Sequence, residues 1–223
     1  MLSGHEQRFP VDPAPSRWAL PSPHDADRDG IAGIGGDLEP GTMLSAYRSG
    51  LFPMPYGRRR IIWFSPDPRA IIPLDGLTVS RSLRRSMQRY QVSRDTAFTE
   101  VMLQCGDTRR PGGWITPAFV EAYARLHSLG WAHSVECRDD DGQLVGGLYG
   151  VRIGGFFAGE SMFHTARDAS KVALTGLFRW LDHTGASLVD VQWLTPHLRS
   201  LGAINVDRAD YLDRLAEAIA LSQ

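Results

Sequence analysis

Cysteine is scarce in this chain: only Cys105 and Cys137 occur, and there is no CxxC pair. Such spacing forms neither a zinc site nor a disulfide framework, so we expect a reducing compartment and no metal dependence. Long apolar runs are absent too, because no stretch of 18 apolar residues occurs and the first ten residues contain no apolar signal segment. We therefore expect a soluble, cytoplasmic protein that does not contact a membrane.

Phosphate-binding and triad signatures are also missing. Neither GxxxxGK(S/T) nor GxGxxG occurs, although the chain has several glycine pairs. His127 and His133 have no serine elbow or cysteine partner of the kind that indicates a hydrolase triad. The sequence therefore favours neither an NTPase nor a hydrolase.

Neither sign of charge is in excess, because 24 basic and 25 acidic residues give a net charge of -1. Nine arginines nevertheless stand between Arg58 and Arg94 against only Asp67 and Asp75, a local net charge of +7. This stretch, the basic segment, can contact a polyanion through its phosphates, and a solvated helix face is the alternative. Lysine is almost absent, since Lys171 is the only one among the basic residues; its compact charge has a role near a helix start or is a chance survivor.

The sequence divides near residue 66. Proline is concentrated before that point, where only residues 42–49, closed by Gly50, are typical of a helix. Residues 1–66 are therefore expected to form a small, loop-rich N-terminal domain. Residues 67–223 are expected to form a larger domain that begins with a strand at 70–73 and a basic helix at 80–89.

The remainder of the chain alternates between helical and extended patterns. A helix is predicted from Thr116 to Gly130, strands at 131–137 and 144–151, and a hairpin that turns at 154–155. Asp168 is predicted to cap a second helix that ends at Gly185, before a strand at 188–194. Strands, a helix and a further strand favour a right-handed crossover, and so an α/β (α+β) fold with helices packed on a mixed sheet.

Asp190 and Gln192 are candidates for chemistry in the last of these strands. Residues two apart on a strand point the same way, so both polar groups are expected on one face, with Val189, Val191 and Trp193 on the other. An edge strand with one solvated face is the alternative. If Asp190 is buried among its apolar neighbours, its charge needs partners.

Glu160 is a third candidate, because it lies between the apolar residues 156–158 and 162–163, where a surface salt bridge would be out of place. Buried acids in apolar clefts are often functional, and an acid that caps backbone N–H groups at a strand end is the alternative. Nearby aromatic and sulfur-containing residues are either ordinary core or, as a set, the lining of a pocket for an apolar side chain: Trp114, Tyr123, Tyr149, Phe157 and Met162.

Ordered blocks from Phe9 to about Leu215 resemble the leucyl/phenylalanyl-tRNA–protein transferases. They include Gly35-Gly36-Asp37-Leu38, Ser65-Pro66-Asp67-Pro68-Arg69, Trp114-Ile115-Thr116, Gly146-Gly147-Leu148-Tyr149-Gly150, Gly159-Glu160-Ser161-Met162-Phe163, Ala169-Ser170-Lys171 and Ser200-Leu201-Gly202-Ala203.

The resemblance implies an enzyme that transfers Leu or Phe, with Met as an open third donor, from aminoacyl-tRNA to the N-terminal Arg or Lys of an acceptor protein. The product is then an N-degron, which marks that protein for degradation. The resemblance also implies a small N-terminal domain and a C-terminal domain similar to the acyl-CoA N-acyltransferases (GNAT-like). The chain lacks their pyrophosphate-binding loop, which fits a tRNA donor and no cofactor, and nothing requires more than a monomer.

Site residues follow from the same resemblance. Gln192 would orient the attacking amine, Asp190 would supply negative charge, and Glu160 would hold an amino group of one substrate. The donor would be bound by Trp114 and Tyr123 near its adenosine, and around its side chain by Leu148, Phe157, Met162, Leu177, Leu181 and Val189. The basic segment would contact tRNA through Arg58, Arg59, Arg60, Arg81, Arg84 and Arg85.

Three residues depart from the family pattern. Met54, which borders the donor site, replaces a usual Trp, and Thr195 and Asp168 each replace a frequent Asn. The preference between Leu and Phe is therefore left open. Two other functions also remain open: an RNA-binding module without catalysis, and an acyl-CoA N-acyltransferase.

Overall fold

The computed structural model describes residues 3–4, 10–57, 59–107 and 113–221. A two-residue strand, β1 (Ser3–Gly4), is followed by β2 (Ile31–Ile34), α1 (Pro40–Arg48), β3 (Phe52–Tyr56) and β4 (Arg60–Phe64). The last three strands form an antiparallel sheet in the order β2-β4-β3. The N-terminal part of the chain therefore has a sheet of its own.

The α1 helix was predicted from the sequence, whereas this small sheet was not. Helix α1 begins at Pro40, whose missing N–H is no loss in a first turn, and is followed by Gly50 at φ +82°. Strand β3 contains Pro53 and Pro55, which suggested a loop. Because β3 lies at the edge of its sheet, prolines two residues apart can direct their nitrogen atoms away from β4 without losing ladder hydrogen bonds.

The remaining strands form a mixed eight-stranded sheet in the order β1-β6-β7-β8-β9-β10-β5-β11. Strands β6 to β9 form an antiparallel meander, β9 and β10 are parallel, and β5 is antiparallel to both β10 and β11. This arrangement confirms the predicted mixed α/β class. The strands are β5 (Arg69–Ile72), β6 (Gln91–Arg94), β7 (Ala132–Arg138), β8 (Leu144–Ile153), β9 (Phe156–His164), β10 (Leu188–Gln192) and β11 (Ile204–Val206).

Helices cover both faces of this sheet. One core cluster joins α1, α3, α4 and α7 to one face, and a second joins α2 and α5 to the other. The sheet is thus the middle layer of three. The helices not yet introduced are α2 (Arg81–Ser86), α3 (Phe98–Cys105), α4 (Pro117–Ser128), α5 (Ala169–His183), α6 (Pro196–Ser200) and α7 (Arg208–Ile219).

The predicted helices and strands after residue 66 lie within a few residues of α2, α4, α5, β5 and β7 to β10, whereas α3, α6, α7, β6 and β11 were not predicted. Asp168 is the N-cap residue of α5, as predicted, but its side chain accepts no capping hydrogen bond from a backbone N–H of the helix. Its backbone is left-handed, with φ +62°. The carboxylate of Asp168 accepts a hydrogen bond from Ser86 Oγ at 2.9 Å and pairs with Lys171 Nζ at 3.4 Å, so Asp168 connects α2 to α5.

Among the described residues, no helix is long and apolar enough to cross a membrane.

Candidate active site

A cavity of about 240 Å³ lies between α5 and the strands β8, β9 and β10. Pairing between the parallel strands β9 and β10 ends at Ala158 and Asp190. Glu160 and Gln192, the next residues but one on each strand, border the cavity just beyond that point. The other lining residues are Leu148, Tyr149, Gly159, Ser161, Met162, Leu174, Leu177, Val189, Val191, Thr195, His197 and Leu198.

Apolar side chains form most of the cavity wall, and they include four of the residues predicted to surround the donor side chain: Leu148, Met162, Leu177 and Val189. Phe157 and Leu181, predicted with them, are fully buried in the core and do not line the cavity. Leu174 and Val191 were missed. The three-residue spacing of Leu174 from Leu177 on α5 was the available signal, because residues three apart share a helix face.

Trp114, Tyr123 and Met54, the other residues predicted to bind the donor, lie outside the cavity wall. Trp114 packs edge-to-face on Phe119 at 5.5 Å, and Met54 packs against the first core cluster from β3. Tyr123 is fully buried and contacts Glu160. Of these three residues, only Tyr123 is connected to the cavity wall, through its hydrogen bond to Glu160.

Glu160 accepts hydrogen bonds from two buried tyrosines. Tyr47 Oη lies 2.7 Å from Oε1 and Tyr123 Oη lies 2.9 Å from Oε2, while the two hydroxyl oxygens are 2.5 Å apart. Each of these three O···O contacts needs a proton, and the two tyrosine hydroxyls supply only two. A protonated Glu160 supplies the third proton by donating to one of the tyrosines. Burial raises the pKa of Glu160 to about 7, although the two tyrosine hydroxyls act to lower it. Glu160 can therefore exchange a proton near neutrality.

Asp190 is fully buried and does not line the cavity. Its carboxylate accepts from Arg69 Nε at 2.9 Å and Nη2 at 2.7 Å, and from Tyr211 Oη at 3.0 Å. The prediction that Asp190 and Gln192 share a face is wrong, because a bulge at Val191 interrupts the alternation of β10. The alternative of a solvated edge strand is also excluded, since β10 pairs on both sides. Asp190 therefore cannot act on a substrate directly.

Gln192 occupies a strained position beside the cavity. Its φ is +59°, a region that costs a non-glycine residue about 1–3 kcal/mol and is maintained only by its surroundings. Its backbone N–H donates to Asp190 Oδ1 at 2.9 Å. The side-chain Nε2 is buried and, within the described part of the chain, has no hydrogen-bond partner. A buried donor without a partner is costly, so a ligand acceptor in the cavity is its natural partner.

The basic segment is divided by the fold. Arg81, Arg84 and Arg85 are exposed on and around α2, and Arg59 and Arg60 are exposed at the β3–β4 turn; Arg58 lies outside the described residues. Arg69 is not part of any surface patch, because it is buried against Asp190 with 1% of its side chain exposed. The polyanion surface predicted from the segment therefore loses one of its nine arginines.

Thr195, one of the departures from the family pattern, lines the cavity and begins α6. Its hydroxyl accepts the Leu198 N–H at 3.1 Å. Threonine and asparagine are both good N-cap residues, so the threonine present here can cap α6 as an asparagine would. In the described residues, no group of three His, Cys, Asp or Glu side chains is placed to hold a metal ion.

The solved structures that match this chain are distant from it in sequence. A structure described as L-PGS from Bacillus licheniformis matches 71% of this chain and 52% of its own, with a TM-score of 0.41 and 15% identity. A GCN5-related N-acetyltransferase from Kribbella flavida matches 74% of this chain and 60% of its own, with a TM-score of 0.39 and 14% identity. The α/β class rests on the sheet order described above.

Sequence relatives are much nearer. Leucyl/phenylalanyl-tRNA–protein transferases from Anaeromyxobacter dehalogenans and Sulfurimonas denitrificans are 48% and 49% identical; the matches cover 95% and 88% of this chain, and 92% and 87% of the relatives. The family model for leucyl/phenylalanyl-tRNA protein transferase matches residues 71–216, and the model for its N-terminal domain matches residues 36–67. The resemblance seen in the sequence is thus confirmed, and the chain belongs to the leucyl/phenylalanyl-tRNA–protein transferase family of aminoacyltransferases.

Proposed function

We propose that this enzyme transfers leucine or phenylalanine, with methionine as a third donor, from aminoacyl-tRNA to the N-terminal Arg or Lys of acceptor proteins. The aminoacylated acceptor is then an N-degron. The observation that carries the proposal is the apolar cavity bordered by Glu160 and Gln192, in a chain of this family.

The donor side chain is assigned to the apolar part of the cavity. Leu148, Met162, Leu177 and Val189 present no charged group, so a large unbranched or γ-branched apolar side chain is favoured and a charged one is excluded. Discrimination by such a wall is modest, about 1–3 kcal/mol per methylene, which is consistent with more than one apolar donor.

The reaction is aminolysis of an ester. The α-amino nitrogen of the acceptor forms a bond to the carbonyl carbon of the aminoacyl group. The bond from that carbon to the ribose oxygen of the tRNA breaks, and the proton lost by the amine is transferred to that oxygen. Because the ester is already activated, holding the two groups together supplies much of the rate.

Gln192 and Glu160 are assigned the positioning work. The Nε2 of Gln192, which has no hydrogen-bond partner among the described residues, suits the ester carbonyl, whose oxygen becomes negative as the amine attacks. The carboxamide as a whole orients the amine. Ionised Glu160 suits an ammonium or guanidinium group of the acceptor. Asp190 acts from behind the strand and does not contact either substrate.

The exposed arginines are assigned to the tRNA backbone. Arg81, Arg84 and Arg85 lie on α2, which contacts α5, one wall of the cavity. Arg59 and Arg60 lie at the β3–β4 turn. Contacts of this kind depend on phosphate charge and weaken as salt is added.

We further assign residues 1–66 and 67–223 to two domains of a cytoplasmic monomer. The two family models meet between residues 67 and 71, which supports the boundary. Sedimentation equilibrium of the purified protein tests the monomer, and a mass near twice 24.7 kDa would contradict it.

A transfer assay tests the activity. Purified protein is incubated with tRNA carrying labelled Leu, Phe or Met and with peptides that begin with Arg, Lys or Ala. We expect labelled dipeptide linkages with Arg and Lys but not with Ala, and none from free leucine. Binding of charged tRNA without transfer would indicate an RNA-binding module, and turnover of acetyl-CoA would indicate an acyl-CoA N-acyltransferase.

A further inference from the structure

Arg69 is enclosed on every side of its guanidinium group. Nε and Nη2 donate to Asp190, and Nη1 donates to the Gly50 carbonyl at 3.2 Å. The guanidinium carbon lies 4.7 Å from the ring centroid of Phe52 and 4.4 Å from that of Tyr211. Arg69 therefore cannot contact a substrate, and any influence on the reaction passes through its neighbours.

The carboxylate of Asp190 has its acceptor sites filled. Oδ1 accepts from Arg69 Nε and from the backbone N–H of Gln192, and Oδ2 accepts from Arg69 Nη2 and Tyr211 Oη. A carboxylate offers about four acceptor sites, so none remains for a proton from a substrate amine. What Asp190 can still contribute is the hydrogen bond that its Oδ1 accepts from the backbone N–H of Gln192.

The hydrogen bond from the Gln192 N–H to Asp190 Oδ1 bears on the direction of the Gln192 side chain. The bulge and the left-handed backbone of Gln192 place its side chain in the cavity with Val189 and Val191. In a regular strand, residues two apart point the same way, so Gln192 would point with Asp190, away from the cavity. The N–H to Oδ1 bond opposes this relaxation.

We propose that Arg69 is a positioning residue for the transfer reaction. Its Nε and Nη2 each donate to one carboxylate oxygen of Asp190 and so fix the orientation of that carboxylate. The oriented carboxylate then holds Gln192 in the strained backbone conformation that directs its carboxamide into the cavity. Because Gly50 and Phe52 complete the enclosure of Arg69, the N-terminal part of the chain contributes to the same geometry. The inference depends on the proposed function, since it concerns the step that Gln192 assists.

The first test is R69K, measured as leucine transfer from charged tRNA to an Arg-initiated peptide. Lysine keeps the charge but loses the planar fork that holds both carboxylate oxygens. We expect kcat to fall at least about tenfold while KM for aminoacyl-tRNA changes by less than about threefold. The matched control is R152K, a buried arginine that lies over Trp180 and bonds the carbonyls of Gly154 and Thr184.

The control separates positioning from a general loss of packing. R152K should lower the melting temperature and leave kcat and KM at wild-type values. If R69K also keeps the wild-type kcat, the proposal is overturned. Absence of transfer in the wild-type protein would contradict the proposed function instead, so the two failures are distinguishable.

The second test asks whether kcat depends on the charge of Asp190 or on the hydrogen bond that Asp190 accepts from the Gln192 N–H. In D190N, the amide nitrogen faces the donors of Arg69, and kcat should fall. In the double variant R69M/D190N both charges are gone, and the Asn oxygen can still accept the Gln192 N–H, so we expect at least about a tenfold recovery of kcat over D190N. A folded double variant as slow as D190N would show that the charge itself acts. Should the double variant not fold, the comparison of R69K with R152K decides.

Discussion

Replacing Glu160 with Gln should flatten the dependence of stability on pH around neutrality. The carboxyl group of Glu160 is enclosed by Tyr47 and Tyr123 and has a pKa of about 7, raised mainly by burial from the ordinary value of 4.5. Between these two values the folded protein binds a proton that the unfolded chain has released. The free energy of unfolding therefore decreases as pH rises through this window.

The size of the effect follows from the two pKa values. When Glu160 is ionised in both states, its burial costs about 3 kcal/mol relative to the protonated form. Much of that cost develops between pH 5.5 and pH 8, where the free energy of unfolding should drop by about 2 kcal/mol through this group alone. E160Q is uncharged at every pH, so it cannot show this drop.

Urea denaturation of both proteins at several pH values measures the effect. The difference in unfolding free energy between E160Q and wild type is the relevant quantity, because contributions from all other titrating groups cancel in it. From pH 5.5 to pH 8 this difference should shift by about 2 kcal/mol in favour of E160Q. A difference that stays constant over this range would show that Glu160 is already ionised at pH 5.5, and would refute the proton-sharing arrangement with the tyrosines.

Three shorter predictions concern the cavity wall, the tRNA surface and the buried ion pair. L177A should enlarge the cavity and raise the ratio of phenylalanine to leucine transfer at least about threefold, as competition between the two charged tRNAs would measure; an unchanged ratio would place the donor side chain elsewhere. R84E should weaken tRNA binding and reduce the slope of log binding constant against log salt concentration by about one, the loss expected for one phosphate contact. R214E is an equal charge reversal on α7, in the opposite layer, and should change neither quantity. D190A should lower the unfolding free energy by about 3–5 kcal/mol in urea, because it leaves Arg69 buried without its counterion, and a loss below about 1 kcal/mol would contradict the pairing.

Local sequence patterns predicted much of the large domain because its elements carry their own signals. Helix α4 begins at Pro117 after Thr116, and α5 has apolar residues at helical spacing and Gly185 beyond its end. The small N-terminal sheet escaped prediction because prolines suit an edge strand as well as a loop. Whether a strand lies at the edge of a sheet is decided by tertiary structure and is not encoded in the strand itself.

The site shows the same boundary between local and long-range information. Glu160 beside a cavity and four of the apolar wall residues were predicted, since apolar patterning and the family resemblance identify them. The orientation of Asp190 could not be predicted from the sequence, because its partner Arg69 lies 121 positions away in the chain, within the basic segment. A strict two-residue alternation then assigned Gln192 to the wrong face.

The bulge in β10 is where these two kinds of information meet. In an uninterrupted strand, Gln192 would point with Asp190, away from the cavity. With the bulge, the neutral carboxamide of Gln192 borders the cavity beside the titratable Glu160, while the charge of Asp190 is paired with Arg69 outside the cavity wall. A neutral carboxamide can accommodate a neutral amine and a neutral ester, which are the forms that react in aminolysis. The strain at Gln192 is therefore consistent with a site that brings a neutral polar group, and not the Asp190 charge, to the reacting atoms.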